Sequence, residues 1–170
     1  MTQFLSARLV GKTELIQRLD EMPSTVVAML MQKVTALSIA LQAHIVRDKL
    51  SGQVLNRVSG KLSRSIQEVV TQSGQSVIGR VFSAGDVKYA AIHEFGGQTS
   101  PHDIYPKKAD ALAFVMGGKT VFAKVVHHPG SKIPERSFMR SALADMREEI
   151  VNGIAQAAKG GARKVLRAIG

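Results

Sequence analysis

The chain has 170 residues, with 23 Lys+Arg against 13 Asp+Glu, a formal net charge of +10 and a pI near 10.2. It has no cysteine, which excludes disulfide frameworks, thiolate metal sites and cysteine nucleophiles and fits a reducing compartment. The length suits a single domain over 1–170 that can bury a core unaided; the charge suits a polyanionic neighbour, nucleic acid or an acidic protein, although 5% aromatics without Trp argue against a single-strand stacking platform.

Residues 1–23 read as an N-terminal arm of short apolar pieces, with Leu15, Ile16 and Leu19 at the spacing of a short helix over 13–20. The start lacks the basic-then-apolar pattern of a secretion signal, and no apolar run of membrane-crossing length is expected. Pro23 breaks the chain, and Ser24 or Thr25 can cap a new helix. From 24 to about 50, Val27, Leu30, Val34, Leu37, Leu41 and Ile45 recur at steps of three or four and predict one long helix, about 40 Å at 1.5 Å per residue. Ser51-Gly52 is its stop, and His44 lies beside the stripe as a partly exposed helix histidine. Over 33–64, Lys33, Arg47, Lys49, Arg57, Lys61 and Arg64 meet only Asp48, a basic half that suits a solvated face or a phosphate-facing one.

A loop over 54–60 precedes two β-rich runs, 65–70 and 76–82, which read as a hairpin across Ser73-Gly74-Gln75. Residues 89–94 form a helical turn or two, stopped by Gly96-Gly97, with a polar loop beyond. The runs 112–116 and 119–126 flank Gly117-Gly118, a pair that accepts the positive φ of a tight hairpin turn. Alternation sets Val121, Ala123 and Val125 on one face and Phe122 with Lys124 on the other. Pro129-Gly130 and Pro134 keep the next segment extended or turned. Ser137 can cap a helix from 138 to at least 158 with Leu143, Met146, Ile150, Ile154 and Ala157 as its stripe. Gly160-Gly161 is expected to interrupt it and leave 159–170, with Arg163, Lys164 and Arg167, as a basic tail. The fold class is therefore α+β, with a long N-terminal helix and a C-terminal helix packed on a small antiparallel sheet of hairpins.

Catalytic patterns are missing. His93-Glu94 starts like a zincin helix, but Gly97 stands where the second His is needed. His127 and His128 point to opposite faces of a strand, and no spacing ties them to His93 or His102. There is no G-x-S-x-G elbow, P-loop or dinucleotide fingerprint. The residues thus point to a binding or structural protein rather than an enzyme, with no cofactor and no metal.

Four pieces, in order, carry a family likeness. Ser59-Gly60-Lys61-Leu62-Ser63-Arg64-Ser65-Ile66, then Tyr89-Ala90 with Glu94-Phe95-Gly96-Gly97, then Ile104-Tyr105-Pro106-Lys107-Lys108-Ala109 with Leu112-Ala113-Phe114, then Pro134-Glu135-Arg136-Ser137-Phe138-Met139 with Ala142-Leu143 resemble the motifs of phage tail-completion and minor tail components, of the lambda-like minor tail protein Z type and its tail-component and virion-morphogenesis relatives. Ser59 and Gly97 stand where that pattern has threonine, and Ser137 where it has proline. The resemblance implies a long helix packed on a small antiparallel sheet. It also implies a homo-oligomeric ring at the head-proximal end of the tail, in contact with other tail and head–tail connector proteins. Such a protein would belong to the virion, and to the host cytoplasm before assembly. The motif residues Gly60, Leu62, Tyr89, His93, Glu94, Phe95, Gly96, Gly97, Pro134, Arg136 and Phe138 would serve subunit contact or loop anchoring. Phe95 and Phe138 are expected as buried anchors, and Glu94 and Arg136 as ion-pair or hydrogen-bond partners. Arg57, Lys61, Arg64, Arg163, Lys164 and Arg167 are candidates to face passing DNA, without sequence specificity and with no membrane involved. The competing expectation, from charge alone, is a basic nucleic-acid-binding protein outside the virion.

Overall fold

Helix α1, Ser24–His44, is the rib on which the other elements lie. A computed structural model describes residues 6–8, 24–85 and 87–169, with side chains over 24–85 and 87–164; the expected helix over 13–20 lies outside them. All six residues of the predicted α1 stripe are buried, from Val27 at 7% exposure to Leu41 and Ile45 at 0%. Beyond His44 the chain widens into a π-helical turn, Ile45–Gln53, and leaves helical geometry at Ser51 and Gly52, the expected stop. The carbonyl of Lys49 accepts the N–H groups of both Val54 and Leu55 and closes this end.

A short helix α2, Lys61–Ser65, leads into the hairpin of β2, Ile66–Ser73, and β3, Ser76–Ser83, paired antiparallel from Ile66↔Ser83 to Ser73↔Ser76. Strand β1, Ser6–Arg8, pairs antiparallel with the other side of β3, so part of the expected arm is the third strand of a sheet ordered β1-β3-β2. The sheet lies against α1, and Gly79 marks the closest approach: a Cβ there would overlap Ser38 Oγ. Helix α3, Tyr89–Phe95, comes next.

Residues 97–133 form three separate two-stranded antiparallel ribbons rather than additions to the sheet. They pair β4, Gly97–Gln98, with β9, Lys132–Ile133; β5, His102–Ile104, with β8, Val126–His128; and β6, Leu112–Met116, with β7, Lys119–Ala123. Helix α4, Phe138–Asp145, and helix α5, Arg147–Ile169, complete the chain. The single predicted C-terminal helix is interrupted at Met146, where the backbone turns to φ −92°, ψ 3°, although the helical bonds from Met146 N–H to the Ala142 carbonyl at 3.2 Å and from Ile150 N–H to the Met146 carbonyl at 2.9 Å persist.

Gly160-Gly161 does not interrupt α5, which runs on to Ile169, so the basic tail is helical. Packing supplies the reason. On α5 a Cβ at Gly161 would lie 2.8 Å from Val26 Cα, and one at Gly153 2.8 Å from Lys33 Cε. The absent side chains let the two helices touch, which offsets a helix-propensity cost of about 1 kcal/mol per glycine. The core joins Leu37 and Leu41 of α1 and Ile45 of the π-helical turn to Ile66, Val81, Ala90, Phe138, Met139, Ala142, Met146 and Ile150, and takes nothing from 91–137. By length and hydropathy Ser24–Gln53 could cross a membrane, contrary to the sequence expectation; its apolar stripe is the spine of this core.

Candidate functional site

The second and fourth family-like pieces meet. Ala90 and Glu94 sit four apart on α3 and therefore share its inward face, at 3% and 1% exposure. A lone carboxylate so buried would be costly, and here it is fully engaged. One oxygen accepts the Met139 N–H at 2.9 Å; the other accepts the Arg140 N–H at 2.9 Å and Arg140 Nε at 3.2 Å. These amides are unpaired donors at the start of α4. Ser137 occupies the cap position, but its hydroxyl makes no capping bond. Glu94 caps the helix instead, from 45 residues away, at the end where the helix dipole favours negative charge.

The surrounding backbone seals the contact. Arg140 Nη2 donates to the Glu94 carbonyl and to Glu135 Oε1, both at 2.7 Å, and the Arg136 N–H donates to the His93 carbonyl at 2.7 Å. Gly96 has φ +71°, and a Cβ there would stand 2.9 Å from the Glu135 nitrogen; glycine is needed for both reasons. Gly97 then pairs with Ile133, and the Thr99 N–H donates to the Ser131 carbonyl. The two strands that root the 97–133 excursion are thus held together at the body of the protein.

Several side chains differ from the sequence expectation. The guanidinium on Glu94 belongs to Arg140, not Arg136. Its signal in the sequence is a cation in the first turn of a helix, against the dipole, which calls for an acid from elsewhere. Phe138 is buried at 0% as an anchor, but Phe95 is 57% exposed, with the Arg140 guanidinium 4.9 Å over its ring in a cation–π contact. Tyr89 stands edge-on to His93, 6.0 Å between ring centres. Burial, and secondarily the Arg136 charge, push the His93 imidazole below its ordinary range. Pro134 is exposed. Gly60 and Leu62 lie in another corner, where Gly60 starts α2 and Leu62 packs against the core.

The candidate DNA-facing residues fall into two groups at opposite ends of α1. Arg57 reaches back to the Val46 carbonyl (3.4 Å) and Ser51 Oγ (3.3 Å), and Arg64 to the Ser59 carbonyl (3.2 Å), with exposed Lys61 between them. Arg163 and Lys164 are exposed on α5, where Lys164 shares a hollow with Ser24 and Thr25; Arg167 lies further along that helix. The 21 residues of α1, about 30 Å at 1.5 Å each, separate the groups.

His44 is not a bystander on its helix. Its Nδ1 lies 2.6 Å from Asp48 Oδ2 and its Nε2 3.0 Å from Asp145 Oδ2, while Lys49 Nζ lies 2.6 Å from the same Asp145 oxygen. Both ring nitrogens can donate only in the imidazolium, and the hydrogen bond to Asp145 raises the His44 pKa against the effect of burial, with Asp48 adding to the rise. Lys49, then His44, lower that of Asp145. This cluster ties the π-helical turn to the end of α4. On the ribbons, His102 and His128 stack at 5.0 Å, and His127 Nδ1 lies 2.5 Å from Asp103 Oδ1. Among the described residues no three His, Asp or Glu side chains are grouped to hold a metal ion. Comparison of the chain with protein-family models, curated proteins and solved structures finds no match.

Proposed function

We propose that the chain is a structural protein of a phage virion that completes the head-proximal end of the tail and helps join it to the head, as a homo-oligomeric ring around the DNA passage. The observation that carries this reading is the Glu94 contact. Two of the four family-like pieces, 45 residues apart, meet through Glu94 and Met139, so these two form one structural unit. Its partners are other tail and connector proteins and further copies of itself. The cationic groups at both ends of α1 suit non-specific contact with passing DNA. The reading includes no catalytic step and no cofactor.

The test is removal. Particles made without the protein should show heads and tails that fail to join under negative stain; intact, correctly joined virions would overturn the assignment. Reversing the charge of Arg163, Lys164 and Arg167 should lower DNA retention in otherwise assembled particles. The net charge of +10 also favours a second reading, a nucleic-acid-binding protein outside the virion. Under that reading the free protein shifts duplex DNA steeply with salt and is missing from purified particles.

A further inference from the structure

Two kinds of contact tie the π-helical turn Ile45–Gln53 and the loop after it to the body. Leu50 and Leu55 reach the core, while Ser51, Gly52, Gln53 and Asn56 are exposed and Val58 is bare at 97%. The polar contacts meet at Asp145, the last residue of α4. Its Oδ2 takes Lys49 Nζ at 2.6 Å and His44 Nε2 at 3.0 Å, and the other ring nitrogen of His44 lies 2.6 Å from Asp48 Oδ2. Arg57 in turn hangs from the turn itself, on the Val46 carbonyl and Ser51 Oγ. Single π turns recur at functional sites, and this one seats a cation of the basic corner.

Half of that polar attachment depends on a proton. An imidazolium donates from both nitrogens, whereas a neutral imidazole keeps one N–H and turns a lone pair toward one of its two carboxylates. The groups that act on the ring are Asp48 on the turn and Asp145 on α4, with Lys49 acting through Asp145. The other charges on these elements and on the start of α5 are Arg47, Arg57, Arg140, Arg147, Glu148 and Glu149. Among the described residues none of them bonds the ring; Arg140 is taken by Glu94 and Glu135.

We infer that His44 is a proton-operated catch: while charged it fixes the π-helical turn to α4 through Asp145, and on losing its proton it lets 51–58 open and frees Arg57, so that the set of the corner formed by Arg57, Lys61 and Arg64 follows pH. The Lys49–Asp145 bond does not pass through the ring, so the opening is local. Asp145, then Asp48, raise the His44 pKa against burial; the contribution of the charged ring is complete below the ordinary value near 6.5 and is lost as pH rises through the raised one. Lys49, then His44, hold the Asp145 carboxyl low, so its contribution is present above the ordinary value near 3.8 and is lost as pH falls through the lowered one. The catch is therefore shut in mildly acid solution and opens toward either extreme. It is a property of the free chain and does not depend on the virion reading.

Hydrogen exchange on the full chain tests this, with rates corrected for the intrinsic effect of pH. The reporters are the Val54 and Leu55 amides, both bonded to the Lys49 carbonyl. In the parent their protection should fall roughly two- to fivefold as pH rises, the range of a partly exposed ion pair, with the midpoint at which the His44 ring titrates by NMR. In His44→Gln it should stand at the lower level already near pH 6 and stay flat above. Asp145→Asn should lower both the protection and the His44 midpoint, and Asp145→Glu should restore most of each. Amides of the β2–β3 hairpin should hold at parent level throughout. Protection that ignores the His44 titration in the parent, which needs no variant, overturns the catch. So does a parent-like profile in His44→Gln, or a loss shared equally by the β2–β3 hairpin.

Discussion

Two regions of this molecule are built from similar sequence signals and end in opposite states. In the body, β2 and β3 alternate, turn tightly at Gly74, gain β1 as a neighbour and lie against α1. In the 97–133 excursion, β6 and β7 alternate, turn tightly at Gly117-Gly118, and remain a two-stranded ribbon outside the core. Phe138 is 0% exposed and Phe122 is 70% exposed. Alternation therefore specifies a strand, while burial requires a helix stripe within reach; α1 offers its stripe to one hairpin and not to the other.

The sharpest way to probe that contrast is to remove a phenylalanine ring from each region. Phe138→Ala should cost about 3–5 kcal/mol in denaturant unfolding, as the loss of a large core side chain does. Next comes the joint between the regions. Glu94→Gln should cost about 2 kcal/mol, since it weakens a cap and leaves Arg140 facing a neutral amide, and it should speed proteolysis within 97–133 more than elsewhere. A melt and cleavage pattern like the parent's would dissolve the distinction between body and excursion. Within the body, Gly161→Ala should lose about 1–2 kcal/mol by pushing on Val26 backbone, whereas Gly160→Ala, whose Cβ would meet only the flexible Met29 Cε at 3.1 Å, should be neutral or gain up to about 1 kcal/mol in propensity.

A smaller effect concerns pH. The His44 pKa is raised by its carboxylates, so its contribution is complete below the ordinary value near 6.5 and is lost as pH rises through the raised one. His93 is lowered by burial, so its contribution is complete above that value and is lost on acidification. The melting temperature of His44→Gln should therefore fall below the parent's only toward acid, and that of His93→Gln only toward alkali; parallel curves for the two would refute the assignment. Smallest of all, Phe122→Ser should change stability of the isolated chain by less than about 0.5 kcal/mol.

The sequence was most legible where one element's own period decides the outcome. The α1 stripe, the Ser51-Gly52 stop and both glycine-turned hairpins could be read from local pattern alone, whereas Phe138 as an anchor was expected from the family resemblance. Facts that need two distant segments at once were hidden. Gly160-Gly161 reads as a break until Val26 is known to press on it, and Arg140, a first-turn cation that calls for an acid, does not reveal which acid until α3 is laid beside α4. His44 gains its second carboxylate 101 residues away, and no local pattern announces that. Phe95 has the composition of an anchor, but α3 turns its Ala90–Glu94 side inward and leaves Phe95 beneath an arginine.

The joint at Glu94 has a consequence for how such a chain can diversify. Because the excursion enters and leaves through one sealed neck, the core never senses how long the intervening segment is. Doubling a flexible loop costs only about 0.6 kcal/mol in closure entropy, so the segment between the neck residues can be lengthened, trimmed or exchanged as a cassette. Relatives that keep the neck could then differ freely in what they present to a neighbour.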